Sequence, residues 1–222
     1  MARVLSHFSV FAFEAAFWDL EPDERARAEG QFRTGLGRAA DSVHFYRTFG
    51  TRPDGDLLVW SSVESGHADA PARFFGGFST LLSPVRKHVR LVDALWGFTG
   101  ESAYATGSSE RAIDSLRPRS RRYVVVYPFA KTHAWYATAA DKRRRMMSEH
   151  IRVGRGHSGV EQQLLYCTGF QDHEFVVVYE MDDLVAFSAL VSDLRSTGAR
   201  SYTSLDAPVH VGIRLEAEPD TS

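Results

Sequence analysis

The segment "EFVVVYEMDDL" (174–184) decides the fold when it is set beside "DLLVWSSVESG" (56–66). Both are β-rich runs that end in small or acidic residues and lead into a helical pattern, and each holds the same place in its own series of elements. Working outward from the later copy, "EQQLLYCTGF" (161–170) precedes the strand "HEFVVVYEM" (173–181) across the turn "QD". Upstream stand the β-rich "RRYVVVYPF" (121–129) and a helical stretch over 138–154. Downstream, residues 182–196 place Leu184, Phe187, Val191 and Leu194 at helical spacing behind an acidic start, and "APVHVGIRL" (207–215) reads as a last strand. The order is βαββαβ.

The first half repeats it. "RVLSHFSVFAF" (3–13) is a strand, and "EPDERARAEGQFRTGLGRAA" (21–40) a helix with Pro22 in its first turn. "SVHFYRTFG" (42–50) and "DLLVWSSV" (56–63) are strands flanking the turn "TRPDG", and "HVRLVDALWGF" (88–98) closes the set. Between them "ADAPARFFGGFSTLLSP" (68–84) reads as a helix broken by Pro71 and the Gly76-Gly77 pair. The fold class is therefore α+β: two tandem ferredoxin-like halves, residues 1–105 and 106–222, with helices on one face of each antiparallel sheet. The linker is the Gly-, Ser- and charge-rich stretch 99–120. The other face of each sheet needs a cover, from its partner sheet or from another subunit, so a homo-oligomer is expected.

A chain of 222 residues, 44% hydrophobic and 24% charged, can bury a substantial core. The net charge of −2 gives no reason to expect a nucleic-acid or anionic-membrane partner. The cluster Arg117, Arg119, Arg121 and Arg122 reads as a solvated loop. No run approaches the ~20 apolar residues that span a bilayer. The N-terminus lacks a basic n-region and a small-residue cleavage site, which points to the cytoplasm. Cys167, the single cysteine, rules out an intrachain disulfide and reads as a buried small hydrophobe. "GRGHSG" (154–159) is a turn rather than a phosphate loop, because it does not follow a strand and open a helix. The histidines form no paired zinc motif, and there is no nucleophile elbow.

His150 stands apart. The helix that carries it is expected to start at Thr138 with Asp141 three residues on, a capping-box spacing, and Met146, His150 and Val153 then share one face. A histidine on a packed face must be hydrogen-bonded or serve as a ligand. In the preceding strand Tyr123 and Tyr127 share a face by the period of two, with Lys131 and Trp135 following in the connection.

"YVVVYPFAKTHAWY" (123–136), "MMSEHIRVGR" (146–155), "QLLYCTGFQDHEFVVVYEMDDL" (163–184) and "LRSTGARSYTSLDAPV" (194–209) together resemble the chlorite dismutase-like family, which includes the coproheme decarboxylases. The likeness is looser in "LEPDERARAE" (20–29), "DLLVW" (56–60) and "LWGFTGESAY" (95–104). It implies two ferredoxin-like halves in a dimeric α/β-barrel-like arrangement, a homopentamer, and haem in the C-terminal half. Carried over residue by residue, it implies His150 as the proximal iron ligand, bonding as a neutral imidazole. Tyr127 in the "YP" motif becomes the oxidisable tyrosine beside a propionate, Lys131 the lysine near the propionates, and Trp135 the tryptophan beside the haem. Met146 helps to line the pocket, and Gln163 falls where chlorite-degrading members carry a distal arginine and many decarboxylases a glutamine. The implied cofactor is iron coproporphyrin III or haem b, coproheme being also the substrate, and hydrogen peroxide the co-substrate. The implied rivals are a divergent family enzyme that oxidises another small molecule and a haem carrier or sensor without turnover. Two departures stand out: Gly198 in "LRSTGA", where the family commonly places a glutamate that accepts the proximal imidazole N–H, and Gly100 in "GESAY", where it has arginine.

Overall fold

The structure is a computed structural model that describes residues 3–104, 112–119 and 121–215. The division between residues 105 and 106 lies outside the described residues. Strands β1 (Val4–Phe13), β2 (Ser42–Arg47), β3 (Leu57–Glu64) and β4 (Val89–Thr99) belong to the first half. Strands β5 (Tyr123–Lys131), β6 (Val160–Tyr166), β7 (Phe175–Met181), β8 (Thr203–Leu205) and β9 (His210–Arg214) belong to the second. Their order is β7-β6-β4-β1-β3-β2-β9-β5-β8, and β5 also pairs with β7. That extra pairing closes all but β8 into a barrel, with β8 appended to β5. Within each half the order is the same permutation: β2-β3-β1-β4 in the first is matched by β6-β7-β5-β9 in the second.

Closure answers the question of what covers the second face of each sheet. Phe8, Val10, Tyr46, Leu58, Trp60 and Leu95 from the first half meet Val124, Val126, Leu165, Cys167, Val176 and Val178 from the second in one buried cluster inside the barrel. A barrel of this strand number is just narrow enough to be filled by side chains. The two seams between the halves are short, Phe98↔Tyr166 with Thr99↔Leu165 at one and Tyr46↔Arg214 with Arg47↔Ile213 at the other. Each seam is tight enough to need a glycine: a Cβ on Gly97 would lie 2.9 Å from the Tyr166 carbonyl oxygen, and one on Gly212 2.6 Å from Tyr46 Cβ. Cys167 is buried as expected, and burial pushes its thiol up to about 12.

The helices α1 (Ala15–Trp18), α2 (Pro22–Ala39), α3 (Ala70–Leu82), α4 (His133–Ala137), α5 (Ala140–Arg155) and α6 (Leu184–Arg195) lie outside the barrel. Helix α2 starts on a capping box formed by Glu21 and Glu24, and with α3 it buries Phe32, Leu36, Phe74 and Phe78 against Leu5, Phe11, Leu57 and Val59. The expected break in α3 does not occur. Pro71 sits in the first turn, where a missing N–H costs nothing, and Gly76 and Gly77 continue the helix. The expected cap of α5 is also absent. Thr138 ends the short helix α4, its Oγ1 donating to Ala134 O at 2.7 Å, and Ala139 stands at the N-cap of α5. Among the described residues no helix is long and apolar enough to cross a membrane.

Of the arginine cluster, Arg117, Arg119 and Arg122 are exposed as a solvated loop would have them, but Arg121, with Arg119 beside it, acts as a clasp. Arg121 holds buried Glu161 through Nη2–Oε1 and Asp182 through Nη1–Oδ2, both at 2.8 Å, and Arg119 reaches Glu161 at 3.5 Å. Glu161 pairs directly with fully buried Glu180 across β6 and β7, so two carboxyls face each other on the interior side of the sheet. Burial, with Glu161 adding to it and Arg214 opposing, raises the Glu180 carboxyl to about 7.

Candidate functional site

Alternation along the strands assigns side chains to two faces of the second sheet. Val124, Val126, Val176 and Val178 point into the barrel, whereas Tyr123, Val125, Tyr127, Phe129, Val177, Tyr179 and Met181 point outward beneath α5 and α6. Leu190 and Leu194 of α6 are buried on that outer face. Helix α5 behaves differently from every other long helix: it buries no residue completely. Only its Val153 joins the outer cluster, while Met146, Met147 and His150 one or two turns earlier are half-buried.

His150 Nδ1 lies 2.9 Å from Thr197 Oγ1, and among the described residues no protein hydrogen bond engages Nε2. Burial, then the charge of Lys131, holds the imidazole down to about 4, with Glu149 opposing. The ring is therefore neutral at ordinary pH, the form that bonds a metal. Among the described residues no group of three or more His, Cys, Asp or Glu is arranged to hold a metal ion, so His150 stands as a single donor.

Lys131, at the end of β5, is half-buried. Its Nζ is 3.3 Å from Ala199 O and from Thr203 Oγ1, and 4.9 Å from the centroid of the Trp135 ring. Among the described residues it pairs with no carboxylate: Glu174 instead accepts the Lys131 backbone N–H and the Tyr136 hydroxyl, each at 2.7 Å. Burial and the nearby Arg200 charge lower the ammonium to about 8. Trp135 in α4 is 4% exposed, packed on Tyr202 and Tyr104 as well as under Lys131, so its ring is as much a wall of the local core as a surface for a ligand. Tyr127 stacks on Tyr179 with ring centroids 6.0 Å apart. Burial raises its phenol above the ordinary 10, Tyr179 acts the other way, and the charges of Asp206, Arg195 and Arg200 reach it. Arg200 Nη1 and Asp206 Oδ2 form an ion pair at 2.7 Å, with Arg195 at 3.7 Å on the same oxygen. A phenol, a half-buried amine that pairs with no carboxylate among the described residues, and two guanidiniums sharing one aspartate thus gather beside the helix that carries His150.

Gln163 is not among them. It pairs with Val178 and so shares the barrel-interior face with Leu165 and Cys167, its Nε2 donating to Leu164 O at 2.9 Å. The β6 residues on the Tyr127 face are Val160, Gln162, Leu164 and Tyr166, of which Leu164 pairs with Val177, the partner of Tyr127. The period of two decides this, and the adjacent leucines at 164 and 165 hide the parity in the sequence. Met146 lies against Gly198, whose added Cβ would meet its Cγ at 3.4 Å. At Gly100 a Cβ would sit 2.8 Å from the Tyr166 ring, so this chain has closed the space an arginine there would start from. Sequence reasoning missed Thr197, Arg195, Arg200 and Tyr179. The first three lie in the quoted "LRSTGARSY" run, where no periodicity separates Thr197 from Gly198.

A family model described as chlorite dismutase matches residues 23–215. The coproheme decarboxylase of Mycolicibacterium smegmatis is 28% identical over 174 residues, covering 78% of this chain and 73% of that protein. The coproheme decarboxylase of Staphylococcus saprophyticus is 27% identical over 164 residues, covering 68% of this chain and 64% of that protein. Among solved structures, an arginine-to-lysine variant of the chlorite dismutase from Candidatus Nitrospira defluvii superposes with a TM-score of 0.82 over 97% of this chain and 92% of that one. At 20% identity this last likeness is one of fold.

Proposed function

The chain belongs to the chlorite dismutase family, and on that premise we propose that it is a haem-dependent oxidoreductase of the coproheme decarboxylase kind, acting on iron coproporphyrin III with hydrogen peroxide. The observation that carries the reading is the pairing of a neutral, half-buried imidazole, engaged at Nδ1 only, with a half-buried ammonium that has no carboxylate among the described residues. The donor set fits an iron porphyrin with propionate side chains: one nitrogen ligand for the metal and cations for the carboxylates. Bound there, the iron would supply the oxidising centre at which peroxide is reduced.

His150 would hold the metal through Nε2. Lys131 Nζ would hold a propionate by a charge-assisted hydrogen bond, with Arg200 and Arg195 adding positive field. Tyr127 is kept protonated at rest by its burial, and its phenolic hydrogen is the one to be given up to the oxidant and regained from the β-carbon of the propionate. Each turnover then balances as a propionate, one peroxide and one proton giving a vinyl group, carbon dioxide and two waters. The neighbouring Tyr179, Phe187 and Val153 limit water around the phenol.

Incubating the coproheme-loaded protein with stepwise peroxide and weighing the extracted porphyrin tests the proposal. Two successive losses of carbon dioxide with two hydrogens, ending at haem b, support it; a porphyrin of unchanged mass overturns it. The filled space at Gly100 favours one second reading, a divergent member that keeps haem b and oxidises another small molecule. That reading predicts peroxide consumption by the haem b form and no decarboxylation of coproheme. The assembly proposed is a homopentamer, which light scattering of the purified protein tests.

A further inference from the structure

The partner of His150 is not the residue at which the family places its carboxylate but the one before it. Thr197 is 5% exposed, and its Oγ1 stands between two groups, His150 Nδ1 at 2.9 Å and the Leu194 carbonyl oxygen at 2.7 Å. A hydroxyl has one hydrogen to donate. Two oxygens at 2.7 Å repel unless a hydrogen lies between them, and the carbonyl has none, so Oγ1 must donate to Leu194 O. It then has only lone pairs to offer the imidazole. From this geometry we infer that Thr197 fixes His150 as the tautomer with its proton on Nδ1 and the lone pair on Nε2, making Thr197 the positioning residue for the metal ligand in this chain.

The surroundings hold that arrangement. Leu194 lies in the last turn of α6, where carbonyls lack helical partners, and it accepts from the Thr197 backbone N–H at 3.2 Å as well as from the hydroxyl. A hydroxyl that donates to such a carbonyl is polarised into a better acceptor. On the α5 side, Glu149, the residue before His150, accepts the Gly198 backbone N–H at 3.2 Å, so residues 149–150 and 197–198 are tied by two side-by-side bonds. Glu149 is thereby committed to the backbone and does not serve the imidazole. A Cβ at Gly198 would meet Met146 Cγ at 3.4 Å and Glu149 Oε2 at 3.6 Å, both ordinary contacts, so the position is open to a side chain although this chain has none there.

The effect on iron rests on the reading of His150 as its ligand; the tautomer itself does not. The test therefore begins with the apo protein labelled with nitrogen-15 at histidine, the His150 signals being assigned by their loss in His150→Gln. Long-range proton–nitrogen correlation should show the proton on Nδ1 in wild type and in Thr197→Ser, which keeps the hydroxyl. In Thr197→Val, which keeps the shape and removes the oxygen, the proton should move towards Nε2. A wild-type protein already protonated at Nε2, or a valine variant with the wild-type pattern, overturns the inference. In the loaded protein the ferric/ferrous potential should rise in the valine variant and return with serine. If the tautomers behave as stated but the potential does not move, it is the ligation by His150 that fails and not the role of Thr197.

Discussion

Replacing Lys131 by Met removes a half-buried cation that pairs with no carboxylate among the described residues while keeping most of the aliphatic stem on Trp135. With the ammonium lowered to about 8, roughly three quarters of the unliganded protein carries the charge at about pH 7.5 and only about 3% at about pH 9.5. A carboxylate bound to Nζ favours the charged form, so this contribution to affinity is fully present below about pH 8 and is lost as pH rises through it. A hydrogen bond to a charged group is worth about 1.5–3 kcal/mol, or about ten- to a hundredfold in affinity. Affinity of the wild type for a coproporphyrin should therefore fall about tenfold between those two pH values. Lys131→Met should bind about ten- to a hundredfold more weakly at the lower pH and show little of the fall. Fluorescence titration with the iron-free porphyrin isolates the carboxylate contact from the metal, and repeating it with the iron form adds the ligand. Equal pH slopes for wild type and variant would show that Lys131 does not meet the propionate, however the metal is held.

Tyr127→Phe keeps the ring and its stacking on Tyr179, and a neutral hydrogen bond is worth only about 0.5–1.5 kcal/mol, so coproheme affinity should stay within about tenfold of wild type. Carbon dioxide release under peroxide should stop; a rate equal to wild type would remove the phenol from the mechanism. Glu180→Gln tests the buried carboxyl pair. The folded-state value of about 7 exceeds the unfolded 4.5, so the wild type is least penalised below about pH 4.5 and loses stability as pH rises towards 7. The variant should gain up to ~3 kcal/mol over wild type at about pH 8 and nothing at about pH 4.5, read by denaturant unfolding, and a constant difference at all pH values would contradict it. Gly212→Ala should cost about 1–3 kcal/mol, because its Cβ meets the Cβ of Tyr46 and the seam between the halves cannot open locally. An unchanged midpoint there would show that the seam has slack.

Much of the architecture was legible because the parity of "YVVVYPF" and "EFVVVYEM", with the turns between runs, fixes strands and faces over short range. What joins the two halves was not legible. Closure depends on the two short seams, and these depend on Gly97 and Gly212, which look in sequence like any strand glycine. Pro71 and Gly76-Gly77 misled in the other direction, since first-turn proline is harmless and the apolar side of α3 outweighs the cost of two glycines. The role of Arg121 within the otherwise exposed arginine run was hidden because the carboxylate it holds, Glu161, lies forty positions later in sequence. Within the candidate site, Tyr127, Lys131, Trp135, Met146 and His150 lie where periodicity and motif put them, around one outer face. Gln163 does not, since a register error of one residue exchanges the faces of a strand. The partner of His150 needed coordinates, because sequence spacing alone does not separate Thr197 from Gly198.

The claim on which the rest depends is that His150 Nε2 is the protein's bond to iron. The direct measurement is resonance Raman spectroscopy of the ferrous coproheme complex, comparing wild type, His150→Gly, and His150→Gly with added imidazole. If His150 holds the iron, wild type shows an iron–histidine stretch, the glycine variant loses it while porphyrin still binds through its carboxylates, and imidazole restores an iron–imidazole stretch. A glycine variant that keeps the wild-type stretch would contradict that ligation.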